Sequence, residues 1–131
     1  MSLTIAQRVW NRALEPGVES LRPGDRALAA MLGAHGLVMN GGVHHALECL
    51  TPQQLLAAAD GYAFFGLDDV AAFFRGASDD PVLSQWTEDT EDAANLRYWE
   101  MVPDDDASLV TCFEIVFLER GDQFAPLEPT S

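Results

Sequence analysis

Lysine is missing from this 131-residue sequence, and seven arginines are its only permanent cations. A P-loop is therefore excluded, because its glycine-rich turn needs a lysine for the phosphates. Gly33, Gly36, Gly41 and Gly42 do not have that spacing in any case. Cysteine is almost as scarce. Cys49 and Cys112 each sit in an apolar periodic segment, where a thiol behaves as a small hydrophobe. A secreted fold of this size built on disulfides would carry more of them, so both are expected to be free thiols in a reducing compartment. No run approaches the roughly 18 apolar residues of a membrane span. The stretch Met1 to Arg8 also lacks the apolar core of a secretory signal. The expected location is the cytoplasm, with no membrane partner.

Catalytic signatures are missing too. There is no Gly-x-Ser-x-Gly elbow and no His-Glu-x-x-His pair, and neither cysteine has an activating neighbour in sequence. The expectation is a protein that is not an enzyme and holds no cofactor.

What the sequence has in excess is acid: 21 Asp and Glu give a formal net charge of −14. Residues 1–47 carry four arginines against Glu15, Glu19 and Asp25, a net +1. Residues 48–131 carry 18 acids against Arg75, Arg97 and Arg120, a net −15. Such a chain cannot bind a nucleic-acid backbone directly, because phosphate contacts need clustered cations. A basic protein partner remains compatible with it.

Apolar residues make up 48% of the chain, enough for one core at this length. Their period is helical. Residues 4–15 form a first helix with Thr4 as N-cap, Ile5, Val9, Trp10 and Leu14 inward, and Pro16-Gly17 as the stop. A second starts after Arg22-Pro23-Gly24 with Asp25 as N-cap and runs to Asn40. In it Gly33 and Gly36 could admit a close neighbouring helix. Asn40-Gly41-Gly42 is helix-ending chemistry. After a short segment from Val43 to Leu50, Thr51-Pro52-Gln53-Gln54 has the form of a capping box. The helix it opens, with Leu55, Leu56, Ala58, Ala59 and Tyr62 inward, reaches Phe65, with Gly66 as its C′ residue. Another begins at Leu67-Asp68-Asp69, and Gly76 and Ser78 to Pro81 are expected as loop. The next helix, from Pro81 or Thr87 to Met101, turns Trp86, Ala93, Leu96, Tyr98 and Trp99 inward, and residues 102–106 end it. Residues 108–120 fit helix and strand periods alike. The absence of a partner strand selects helix. The result is an all-α fold, a single compact bundle of about six short helices. Residues 1–24 form a leading helix and linker, 25–125 the core, and 126–131 a loose tail.

Two groups of residues could carry chemistry. His44 and Glu48, and likewise His45 and Cys49, stand four apart, a spacing that can hold a metal on one helix face. There is no second ligand pair, so capping or packing roles are the plainer reading and no metal is expected. Asp68-Asp69 and Glu91-Asp92 fit solvated helix starts better than an acid–base pair. The second group is the acidic stretch Asp79, Asp80, Glu88, Asp89, Glu91, Asp92 and Glu100, continued by Asp104, Asp105 and Asp106 and opposed by Arg97 alone. Its plainer reading is a solvated face with helix-cap acids. Its functional reading is a surface that imitates DNA phosphates toward a basic protein.

Residues 38–74, from Val38-Met39-Asn40-Gly41-Gly42-Val43 through Gly61-Tyr62-Ala63-Phe64-Phe65-Gly66-Leu67, resemble the Asn-Gly-Gly helix–turn–helix of a bacterial all-helical domain family of unknown function. Val102-Pro103-Asp104-Asp105 and the segment from Phe113 to Phe124 resemble its last two helices, so the likeness spans roughly residues 25–125. That family includes a DNA-mimic protein. The resemblance implies an acidic binder of a DNA-binding protein, with a homodimer as one form, and makes Asn40, Gly41 and Gly42 fold-defining. Val43 departs from the pattern, which has an aromatic there. The leading expectation is thus an interaction domain with the acidic face as its protein-binding site. The alternative is a small metal-assisted enzyme or ligand-binding protein using His44, His45, Glu48 and Cys49. A third is a subunit that dimerises through exposed aromatics such as Trp86, Trp99 or Phe124.

Overall fold

In the computed structural model, residues 4–15, 21–102 and 107–127 are described, and all their regular structure is helical. The helices are α1 (Ile5–Arg12), α2 (Pro23–Gly41), α3 (Val43–Cys49), α4 (Pro52–Phe64), α5 (Asp68–Arg75), α6 (Pro81–Ser84), α7 (Glu88–Met101) and α8 (Ala107–Glu119). Eight helices replace the expected six or so because the short α3 and α6 are separate units. The expected stop at Pro16-Gly17 and the carboxylates Asp104, Asp105 and Asp106 lie outside the described residues.

Helix α2 is the spine, burying Leu28, Met31, Leu32, Ala34, His35 and Val38. Helix α4 lies on it through Gly61, where an added Cβ would stand 2.5 Å from the Ala27 carbonyl oxygen. The close approach belongs to Gly61 and not to Gly33 or Gly36, which face open space. Their expected packing role fails because α4 and α7 cover other sides of α2. The expected capping box of α4 is present. Thr51 Oγ1 accepts from the Gln54 amide at 3.1 Å, and Gln54 Oε1 accepts from the Thr51 amide at 2.9 Å. Thr4 caps α1 in the same way, with Gln7.

Asp25 is not the N-cap of α2. Arg22 holds that place and Pro23 takes N1, because proline's missing N–H and fixed φ suit the first helical position. Asp25 falls at N3, and its Oδ2 accepts from the Arg22 amide at 3.3 Å. At the other end α2 runs through Gly41, and Gly42 turns the chain at φ 90°. The next amide, Val43 N–H, donates to Asn95 Oδ1 of α7 at 2.9 Å, so the turn is pinned to α7 as well.

Between α5 and α7 the expected loop is a 3-10 turn, Ala77–Asp79, followed by α6, whose N-cap Asp80 accepts from the Val82 amide. Of the two starts expected, Thr87 is the one found, as the N-cap of α7, and residues 85–87 separate α7 from α6. That break changes its facing. Ala94 and Tyr98 are buried, whereas Trp86 and Leu96 are 60% and 63% exposed, opposite to expectation. Ile5, Leu14 and Leu56 also face outward.

The ambiguous segment 108–120 is helix α8. Its buried Phe113 meets Trp10 of α1 (centroids 5.6 Å apart), Phe65 (6.1 Å) and Phe124 (5.7 Å). Phe124 is therefore a core residue and not the exposed aromatic expected. Charge closes the same layer: Arg12 Nη2 donates to Asp25 Oδ1 at 2.7 Å and to the Ala125 carbonyl at 2.8 Å. Ala125 N–H donates to Asp25 Oδ2 at 2.8 Å, and Arg12 also reaches the Pro126 carbonyl.

Candidate functional site

The acidic face is built by two caps and the helix turn that follows them. Asp80 starts α6, Thr87 starts α7, and the first turn of α7 gathers Glu88, Asp89 and Glu91 at the positive end of the helix dipole. Thr87 holds that turn, with Oγ1 accepting from the Thr90 amide at 3.1 Å, while Thr90 Oγ1 accepts from the Thr87 amide at 2.7 Å. Helix periodicity then puts Asp89, Asp92, Leu96 and Glu100 on one side, over about 16 Å of axis at ~1.5 Å per residue. All four are exposed.

Arg97 does not neutralise this stripe, since it lies about 100° round the helix from Leu96 and is engaged by Asp80. Its Nη1 donates to Asp80 Oδ2 at 2.7 Å. The Val82 amide, and then Arg97, hold the Asp80 carboxyl below the usual carboxylate range. Asp80 is thus committed to structure. Glu91 also has local work, accepting from Trp86 Nε1 at 3.3 Å. Asp79 is exposed in the preceding turn. Asp68 and Asp69, exposed in the first turn of α5, line one concavity with Met101, which brings two further carboxylates to the end of α7.

The four residues of the histidine cluster part company. His44 is buried, and its Nε2 donates to the Val82 carbonyl at 2.9 Å. His45 and Cys49 stay together on the outside at 3.8 Å, and Glu48 is exposed. Among the described residues no three His, Cys, Asp or Glu side chains stand close enough to hold a metal ion. Cys49 and Cys112 are free thiols. Burial raises the Cys112 pKa, which makes its thiolate scarcer.

One polar group eluded the sequence reading. His35 Nδ1 and the Tyr98 hydroxyl lie 2.6 Å apart, and the Tyr98 and Tyr62 hydroxyls 2.7 Å, all buried. Desolvation, then the Tyr98 hydroxyl beside it, raises the Tyr62 pKa well above that of a free phenol. Each residue has a helical spacing that predicts burial, but nothing local shows that three helices bring their polar tips together. No described helix is long and apolar enough to cross a membrane.

Comparison with known proteins gives one match. The family model described as DMP19-like protein matches residues 19–127. No curated protein and no solved structure matches.

Proposed function

The chain belongs to the DMP19-like protein family, and from that premise we propose that it is a non-enzymatic interaction domain whose acidic face binds the DNA-contacting surface of a basic protein in place of DNA. The observation that carries this is the exposed Asp89, Asp92 and Glu100 stripe on a capped helix whose single arginine is bound elsewhere. Arginine forks that grip phosphates grip carboxylates with the same two-pronged geometry. A stripe mounted on a packed helix is already in place before the partner arrives, so little side-chain order has to be created on binding. Exposed Leu96 among the carboxylates adds an apolar contact that a phosphate backbone lacks. It favours a protein partner over a polycation in general.

The test is affinity capture from native lysate at low salt, with a salt gradient and mass spectrometry, followed by competition with duplex DNA for the retained protein. A DNA-binding protein released at moderate salt and displaced by duplex is the expected result, since screening shortens to about 8 Å at physiological ionic strength. Retention that ignores salt, or a retained protein that binds this chain and duplex together, overturns the reading. The homodimer expectation has separate support in α8, where Ile115 and Leu118 stand exposed on a strongly apolar helix. Sizing in solution tests it.

A further inference from the structure

A pocket of about 310 Å³ opens where α3 faces the turn between α5 and α6, at the low end of the range that holds small ligands. Its inner wall is apolar, formed by Leu47, Leu55 and Leu83. Its polar wall has Ser78, Ser84 and exposed Glu48. Trp86, 60% exposed, completes it, with the indole N–H donating to Glu91 at 3.3 Å. An indole anchored at one edge by a carboxylate is not a core side chain that failed to find cover. It is a fixed aromatic surface in negative surroundings.

His44 stands in the pocket wall. The Val82 carbonyl can only accept, so Nε2 of His44 carries the proton and Nδ1 is left as an acceptor. That Nδ1 is buried and has no hydrogen-bond partner. The pocket thus offers a carboxylate, two hydroxyls and an aromatic ring. We infer that it takes an arginine side chain of the partner protein: the stem lies along Leu47, Leu55 and Leu83, and the guanidinium lies against Trp86 and Glu48. Arginine suits it better than lysine. A guanidinium is planar, weakly hydrated and carries five donors, so it stacks on an indole and bonds at its edges together. An anionic or purely apolar occupant would leave Glu48 unanswered. This inference deepens the acidic-face reading and rests on it: the α7 stripe attracts a basic surface, and the pocket anchors one of its side chains.

The test uses the full chain and N-acetyl-arginine amide, with N-acetyl-citrulline amide as the neutral isostere. The Trp86 indole N–H signal and the backbone amide signals of Glu48, Ser78 and Ser84 are followed by NMR, the amides reporting binding where Trp86 is replaced. The Trp86 signal should shift saturably, with arginine binding about tenfold tighter than citrulline, the scale of a cation–π contact joined to a charged hydrogen bond. Trp86→Ala, an exposed site that leaves the fold intact, should weaken arginine binding about tenfold, and Glu48→Gln about threefold. Equal binding of citrulline, or binding that Trp86→Ala does not change, overturns the pocket. The two readings fail separately. If a captured basic protein is lost on Asp92→Asn with Glu100→Gln but not on Trp86→Ala, the pocket falls and the stripe stands. If arginine fills the pocket while no DNA-binding protein competes with duplex, the stripe falls.

Discussion

The two ends of this molecule use charge in opposite ways. In the layer formed by α1, the start of α2 and the C-terminal segment, charges are turned inward and bound. Asp25 is fully buried among Arg12, the Arg22 amide and the Ala125 amide. Arg22 likewise donates to the carbonyls of Asp122 and Phe124. On α7, the four carboxylates of Glu88, Asp89, Asp92 and Glu100 stand in water with their one neighbouring arginine engaged by Asp80. The contrast teaches that net charge alone does not describe a binding surface. Arginines of the first half hold chain ends together, and carboxylates of the second half are displayed.

The sharpest way to break this contrast is Asp25→Ala. It strips Arg12 of its partner inside the protein and orphans two amides, and should cost about 3–5 kcal/mol, measured as a lower urea midpoint. A loss no greater than that of a surface carboxylate would show that the Arg12 layer is not structural. Next in size is Gly61→Ala, whose methyl meets the Ala27 carbonyl and should destabilise by about 1–3 kcal/mol. Gly33→Ala and Gly36→Ala, in open helical positions, should instead stabilise by up to about 1 kcal/mol each. Thermal melts of the three variants separate the packed glycine from the free ones.

Tyr62→Phe should cost about 1 kcal/mol by removing the bond to the Tyr98 hydroxyl. It also tests a pH effect. The folded pKa of Tyr62 is raised, so the fold favours the protonated phenol. That contribution is complete below the unfolded value of about 10 and is lost as pH rises through the folded one. Denaturant midpoints measured from pH 9 to pH 11.5 should fall in the parent and fall less in Tyr62→Phe.

The smallest stability effect is expected from Asp89→Asn, Asp92→Asn and Glu100→Gln together. Stability should move by within about 0.5 kcal/mol per site, since relief of like-charge repulsion on this face offsets the loss of the Asp89 charge at the positive end of the helix dipole. Loss of the salt-dependent partner with stability unchanged would sharpen the contrast between displayed and bound charge. A fall of several kcal/mol in the melt would erase it.

Much of this was legible in the residues. Thr51-Pro52-Gln53-Gln54 and Thr4 announce helix starts, and Gly42 and Gly66 take the positive φ that helix ends need. The run of acids from Asp79 to Glu100 is plain in the sequence, though not which of them are committed to caps. Asp25 was misplaced by three positions because an acid after Arg22-Pro23-Gly24 resembles an N-cap, whereas Pro23 had already taken N1. Trp86 and Leu96 were assigned inward because apolar period was read as burial. Trp86 precedes α7, and Leu96 shares the face of Asp92 and Glu100. The pocket is hidden in the sequence for a further reason: its walls come from α3, α4, α6 and the turns beside α6, and Glu48 and Ala77 across it are 29 residues apart.

By itself, then, the sequence determined the helical class, the principal caps, the turn at Gly42 and the acidity of the second half. Each of these is made by groups within about four residues of one another, or by composition. Tertiary structure alone decided which carboxylates are bound and which displayed, that Gly61 and not Gly33 is the close contact, and that Trp86 stands over a pocket with His44. Those outcomes depend on which distant surface arrives to cover a face, and hydrophobic burial has no direction that a local pattern could encode.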